Sequence, residues 1–191
     1  SGKKYLAYAR AYDRAGNWQD NFVSGTSSNT FIFDNTAPLS VLTVPNSNEV
    51  KTLTGISGSA SDIISGQEFY AGLSGTNKVQ LTIKDEGISR YFDGNDFTQV
   101  NITTVTVGSA ADWNAWSYTS ASGKWITDRQ YTIRYLALDD LGNTGDSVPN
   151  QYQVIYDTTP PVSVINIPSQ NSKLATLTAI TGTANGMLAG L

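Results

Sequence analysis

The chain has 191 residues, 39% hydrophobic and only 15% charged, with a net charge of −4 and neither cysteine nor histidine. That composition excludes disulfides, thiolate chemistry, Cys/His zinc sites and imidazole-based triads. The acidic balance gives no electrostatic basis for binding nucleic acid or an anionic membrane surface.

Strand-like sequence starts at once. "YLAYARAYDRAGN" (5–17) runs into a turn in which Asp accepts backbone N–H bonds and Gly takes positive φ. "FIFDNTAPLSVLTVP" (31–45) is a strand, a proline-stiffened connector and a new strand. "TGISGSA" (54–60) sets Ile56, Gly58 and Ala60 on one face, small enough for a facing sheet to approach closely. A long segment, "DIISGQEFYAGLSGTNK" (62–78), separates it from "KVQLTIK" (78–84), which alternates with Val79, Leu81 and Ile83 on one face. "DGND" (93–96) reads as a hairpin turn. Aromatics crowd the middle: Tyr91, Phe92, Phe97, Trp113, Trp116, Tyr118 and Trp125. "YTIRYLALDDLGN" (131–143) is a strand and turn with Tyr131, Ile133, Tyr135 and Ala137 on one face. "YQVIY" (152–156) puts Tyr152, Val154 and Tyr156 together, and "YDTTPP" (156–161) repeats the connector. Seven or eight strands are expected between 39 and 157, a spacing that suggests a two-sheet sandwich. No stretch carries a helical period. No apolar run reaches the roughly 18 residues of a membrane span, so no membrane insertion is expected. No basic segment with an apolar follow-on reads as a signal peptide. The polar, weakly charged mixture points to an exported protein.

Three blocks recur in the same order. Residues 5–17 match 131–143 at an offset of 126, 31–45 match 154–168 at 123, and 52–62 match 176–186 at 124. The repeating unit is therefore about 125 residues. Residues 1–33 hold the C-terminal strands of one module, 34–157 a complete module, and 158–191 the N-terminal strands of another. The hinges are Asp34 with Pro38, and Asp157 with Pro160 and Pro161. Proline fixes φ and cannot donate to a ladder, so it stops the last strand of one module running into the first of the next. The phase has two readings. The start strands of one copy complete the end strands of another, or the chain is a segment of a longer tandem array, which the sequence favours.

The ordered set "ISGSASD", "VQLTIKDEGISRYFDGNDF", "WSY", "YTIRYLALDDLGN", "YDTTPP" resembles the Ig-like tandem repeats of large bacterial extracellular and surface proteins. The resemblance covers all of 34–157 and both flanking halves. It implies an all-β, Ig-like β-sandwich, a bacterial cell-surface location, and a stalk, fibre or coat role without catalysis. Neighbouring copies or modules are the implied partners. Phe92 and Phe97 stand where the family pattern has Trp, and 62–78 is longer than its usual loop.

Candidate sites are few. Between 34 and 157 there are fourteen Asp or Glu against seven Lys or Arg. The hinge carboxylates Asp34 and Asp157 are candidates to meet Asp13 or Asp139 at a module end, and oxygen-only ligands suit Ca²⁺. Solvated turn carboxylates are the plainer reading. Trp113 and Trp125 are the candidates for stacking on a cell-surface glycan, the alternative function being an adhesin or carbohydrate-binding module. Core packing is the plainer role for the aromatic cluster as a whole. Lys51, Lys78, Lys84 and Lys124 are candidates for a Lys–Asn isopeptide cross-link, though no spacing selects one. Asp85-Glu86 as a hydrolytic pair is disfavoured, because strand neighbours face opposite ways.

Overall fold

The computed structural model describes residues 1–63, 66, 68–73, 78–107, 113, 115–145 and 150–186. Parts of the 62–78 segment and the last five residues of the C-terminal half module lie outside this set. Among the described residues there is no helix, and the protein is all-β.

In chain order the strands are β1 (Lys3–Tyr8), β2 (Ser28–Phe33), β3 (Leu39–Val44), β4 (Glu49–Val50), β5 (Ile56–Ser61), β6 (Val79–Asp85) and β7 (Arg90–Phe92). There follow β8 (Phe97–Gln99), β9 (Val105–Thr106), β10 (Trp116–Tyr118), β11 (Arg129–Ala137), β12 (Asn150–Tyr156), β13 (Val162–Ile167) and β14 (Thr181–Asn185). Among the described residues the central module thus has ten strands, more than the sequence suggests. The surplus is short pieces such as the two-residue β4 and β9, too brief to leave a periodic signal.

Two sheets make the central β-sandwich. One orders β10-β5-β3; the other orders β4-β12-β11-β6-β7-β8, with β9 also pairing β6. The expected inner faces are the observed ones. Val79, Leu81, Ile83, Tyr131, Ile133, Val154 and Ile56 are fully buried in one core, joined by Phe92, Trp113 and Trp116. Gly58 makes room within one sheet, for β3 on one side and the Trp116 ring of β10 on the other, and not for the facing sheet that the sequence suggested. A Cβ there would lie 2.0 Å from the Val41 carbonyl oxygen and 2.5 Å from the Trp116 ring, so a larger residue is excluded. Tyr131, near the start of β11, takes a hydrogen bond from the Ile126 amide to its hydroxyl at 2.8 Å. This tyrosine-to-upstream-backbone link pins a sandwich corner.

The terminal segments form two antiparallel hairpins, β1–β2 and β13–β14. Their registers copy the central module residue for residue. Tyr5 faces Phe31 in β1–β2 as Tyr131 faces Val154 in β11–β12. Val162 faces Asn185 in β13–β14 as Leu39 faces Ser61 in β3–β5, and both pairs carry a bulge at the same place. The turns repeat too. Asp13 Oδ1 accepts the amides of Ala15 and Asn17, and Asp139 Oδ1 those of Leu141 and Asn143.

Candidate cation site at the module junction

Asp34 sits in the linker that enters the central module, Asp62 just beyond the end of β5, and Asp139 in the turn just beyond β11. The sandwich brings all three to one end. One carboxylate oxygen from each lies within 4.8 Å of the others, and the residues are only 6%, 3% and 2% exposed respectively.

Local chemistry orients each group. Asp34 Oδ1 accepts the Thr36 amide at 3.0 Å, the turn expected of an Asp before a proline connector, and the Ser1 hydroxyl at 2.7 Å. Its Oδ2 accepts the Ala71 amide at 2.8 Å. The Gly72 amide donates to Asp62 Oδ2 at 2.5 Å, and the Asp140 amide donates to the Gly72 carbonyl at 3.0 Å. Residues 71 and 72 of the long segment thus tie the three strand ends together. Asn143 completes the bracing: its side-chain amide donates to Asp139 Oδ2 at 2.6 Å and to the Asp34 carbonyl at 3.3 Å. The first module reaches the same end, where the Phe69 amide donates to the Gly2 carbonyl at 3.3 Å and Lys4 lies over the Phe69 ring.

Asp62 is the unsatisfied member of the trio. Its Oδ1 is buried with no hydrogen-bond partner among the described residues. Burial, then the negative charges of Asp34, Asp139 and Asp140, push its carboxyl above the ordinary range; only the Gly72 amide acts the other way. Burial also pushes Asp34 upward, but its bonds from Ser1, Thr36 and Ala71 outweigh that and leave it below the ordinary range. Lys78 is close, but its ammonium pairs with Asp140 at 2.6 Å and donates to the Asp139 carbonyl at 2.8 Å. A buried carboxylate oxygen without donor or counter-charge is costly. A hard divalent cation, which takes carboxylate and carbonyl oxygens, would remove that cost.

Of the four carboxylates singled out in the sequence, Asp34 and Asp139 converge and Asp13 and Asp157 do not. Asp13 is exposed and braces its own turn with Asn17, whose amides hold its carboxyl low. Asp157 accepts the Thr159 amide at 2.7 Å, as Asp34 accepts that of Thr36. By the repeat, each occupies the equivalent place in a neighbouring module. Asp62 escaped the sequence reading. Its signal was the end of "GSASD", which in the other copy ends in Gly186. At the hinges Pro38 is buried, whereas Pro160 and Pro161 are exposed.

Trp113 and Trp125 are not surface rings. Trp113 is fully buried and Trp125 is 8% exposed, stacked edge-on to Tyr131 at 4.9 Å. Both belong to the core, so neither offers a face to a sugar. Packing area decides the matter, since an indole is worth most where it is wholly removed from water. Of the lysines weighed for a cross-link, Lys78, Lys84 and Lys124 pair with the carboxylates Asp140, Glu86 and Asp96. Asp85 is buried against Arg129 at 2.6 Å, while Glu86 bonds Lys84 and Thr132 on the outer face. The two carboxylates do not converge.

Comparison with family models, curated proteins and solved structures finds no match for the chain.

Proposed function

We propose that this chain is a structural segment of a long extracellular bacterial surface or filament-forming protein, built from tandem Ig-like β-sandwich modules. Its work is mechanical. It sets the spacing and angle of successive modules, and its partners are neighbouring modules and copies of the same protein. The observation that carries this reading is the convergence of Asp34, Asp62 and Asp139 on the linker between the first and second modules.

A cation bound by those three carboxylates would tie a linker residue to two strand ends of the following module. The Ser1 hydroxyl, donating to Asp34, and the Gly2 carbonyl, accepting from the Phe69 amide, link the same end to the preceding module. Calcium fits better than magnesium, because the carboxylates come from three separate segments and calcium accepts irregular oxygen sets. Outside the cell, calcium would keep such joints stiff. Proline in the linker supplies the rest of the stiffness. Repetition of the hinge at Asp157, with the same Asp-to-Thr amide bond, supports a tandem array. The adhesin reading loses its contact residues with the burial of Trp113 and Trp125.

The test is small-angle scattering of the 191-residue chain with calcium and with chelator. The reading expects a longer, narrower distance distribution with calcium. Identical curves, at calcium concentrations that saturate any heat of binding, would remove the cation from the joint.

A further inference from the structure

The outer face of the large sheet carries a cavity remote from the three aspartates. Val79, Leu81 and Ile83 of β6 and Tyr131 and Ile133 of β11 face the core. Their strand neighbours therefore face outward. Register sets these in three rows: Gln80 opposite Leu136, Thr82 opposite Arg134, and Lys84 opposite Thr132. Thr82 and Thr132 are nevertheless only 9% and 6% exposed, so the middle of this face is recessed. Along the side of β6 away from β11, β9 pairs with Gln80 and Leu81, and β7 with Lys84 and Asp85. Neither strand reaches Thr82 or Ile83. A cavity of about 220 Å³ opens beside Thr82, bounded by Gln80, Ile102, Thr104, Arg134 and Leu136. A smaller one of about 60 Å³ continues it past Thr82 and Arg134 to Lys84 and Thr132.

The polar groups around this hollow are uncommitted. Among the described residues, Arg134 has no hydrogen-bond or ion-pair partner. Glu86, the acidic residue at the narrow end, is already engaged. One of its oxygens accepts from the Lys84 ammonium and the other from the Thr132 hydroxyl at 2.7 Å. The Thr82 and Thr104 hydroxyls meet only each other, at 3.4 Å, beyond the usual length of a hydroxyl bond. The Gln80 side-chain amide has no partner among the described residues. A half-buried guanidinium, two hydroxyls and an amide thus surround one hollow. Leu136 and Ile102, the latter 63% exposed, supply its apolar wall.

The chemistry of the lining selects the ligand. A guanidinium fork matches a carboxylate through two parallel N–H···O bonds. The hydroxyls and the amide match further hydroxyls, and the apolar wall matches the C–H face of a saturated ring. The volume lies below the roughly 300–1,000 Å³ of sites for drug-sized ligands, so it suits a single ring. Fourteen acidic against seven basic residues in the central module disfavour a doubly charged phosphate. We infer that this cavity binds a uronic-acid unit of an acidic polysaccharide, with Arg134 on the carboxylate and Gln80, Thr82 and Thr104 on the hydroxyls. No indole lines it. The site adds a ligand to the mechanical role and needs neither the junction cation nor the tandem array.

The experiment is titration of the isotope-labelled 191-residue chain with D-glucuronate, D-glucose and acetate, followed by amide NMR spectra. Arg134→Gln and Thr104→Val are the variants. Glucuronate is expected to shift the amides of Gln80, Thr82, Thr104 and Arg134 saturably. Glucose, which lacks the carboxylate, and acetate, which lacks the ring, should each bind at least about tenfold more weakly. Arg134→Gln should weaken glucuronate by about tenfold or more, and Thr104→Val by a few fold. Arg134 leaves no partner unpaired among the described residues, so its variant should melt with the wild type. If that variant fails to fold, the three wild-type titrations and Thr104→Val, at an exposed position, still decide. Absence of shifts at the cavity with glucuronate, or binding unchanged in the folded variants, overturns the proposal. Acetate as strong as glucuronate overturns it in favour of a bare carboxylate, such as an acidic side chain of another protein. Glucose as strong as glucuronate removes the carboxylate from recognition and overturns it too.

Discussion

Asp62→Asn should have opposite effects on stability with and without calcium. The substitution keeps the shape and the acceptor that takes the Gly72 amide, and removes one negative charge. In chelator the native protein holds three carboxylates within 4.8 Å. A pair of like charges at that distance repels by about 3.5 kcal/mol at an effective dielectric of ~20. Protonation and local water reduce this, so the variant is expected to be more stable by about 1–3 kcal/mol at neutral pH without cation. With calcium at about a thousand times its dissociation constant, the wild type gains roughly 4.1 kcal/mol and the variant loses most of it. For a module of this size each kcal/mol moves the melting temperature by about 3–6 °C. Calorimetric melts should therefore show the variant above the wild type in chelator and below it in calcium. The pH dependence agrees in sign. The folded-state value for Asp62 is raised, so the unfolded chain gives up this proton first. The calcium-free protein therefore loses stability as pH rises from the ordinary Asp value through the folded one, and acidification through that window restores it. Equal destabilisation by Asp62→Asn in both solutions would refute the reasoning, because the residue would then act through its bond to Gly72 and not through a cation.

Three further outcomes test the fold beneath the site. Gly58→Ala should cost about 3 kcal/mol or more in urea unfolding, since the added methyl meets the Val41 carbonyl and the Trp116 ring; a loss under about 1 kcal/mol would mean that β3 and the Trp116 ring do not press so closely on β5. Arg129→Gln leaves the fully buried Asp85 carboxylate without its ion pair and should cost about 2–4 kcal/mol in urea unfolding at neutral pH; a cost under about 0.5 kcal/mol would argue against the pair. Trp18 is 59% exposed while Trp113, Trp116 and Trp125 are buried, so Trp18→Phe should remove the acrylamide-quenchable fluorescence. A glycan that still alters emission in that variant would contradict the burial of the other indoles.

The repeated blocks carried most of the architecture. Alternation in 78–84, 131–137 and 152–156 marked the inner faces, and Val79, Leu81, Ile83, Tyr131, Ile133 and Val154 are all buried. Such strands face core on one side, so period two survives in the sequence. Turn chemistry was legible for the same reason. At 93–96 the Asp93 amide donates to the Asp96 carbonyl at 3.0 Å, and Thr98 with the amides of Asn95 and Asp96 holds the Asp93 carboxyl far below its ordinary range. The site was half legible. Asp34 and Asp139 were visible because hinge and turn recur. Asp62 was not, because its repeat partner is Gly186 and because Ala71 and Gly72, which brace the trio, fall outside the three repeated blocks. The indoles misled for a different reason. Trp113 and Trp125 lie in irregular stretches outside any strand, and there no periodicity says which way a side chain points.

The proposed cation between the linker and the module it enters is open to titration calorimetry of the 191-residue chain with calcium. One binding event is expected, centred on Asp34, Asp62 and Asp139, that Asp62→Asn abolishes and that Asp13→Asn leaves untouched. No heat on calcium addition, or binding that survives Asp62→Asn unchanged, would contradict it.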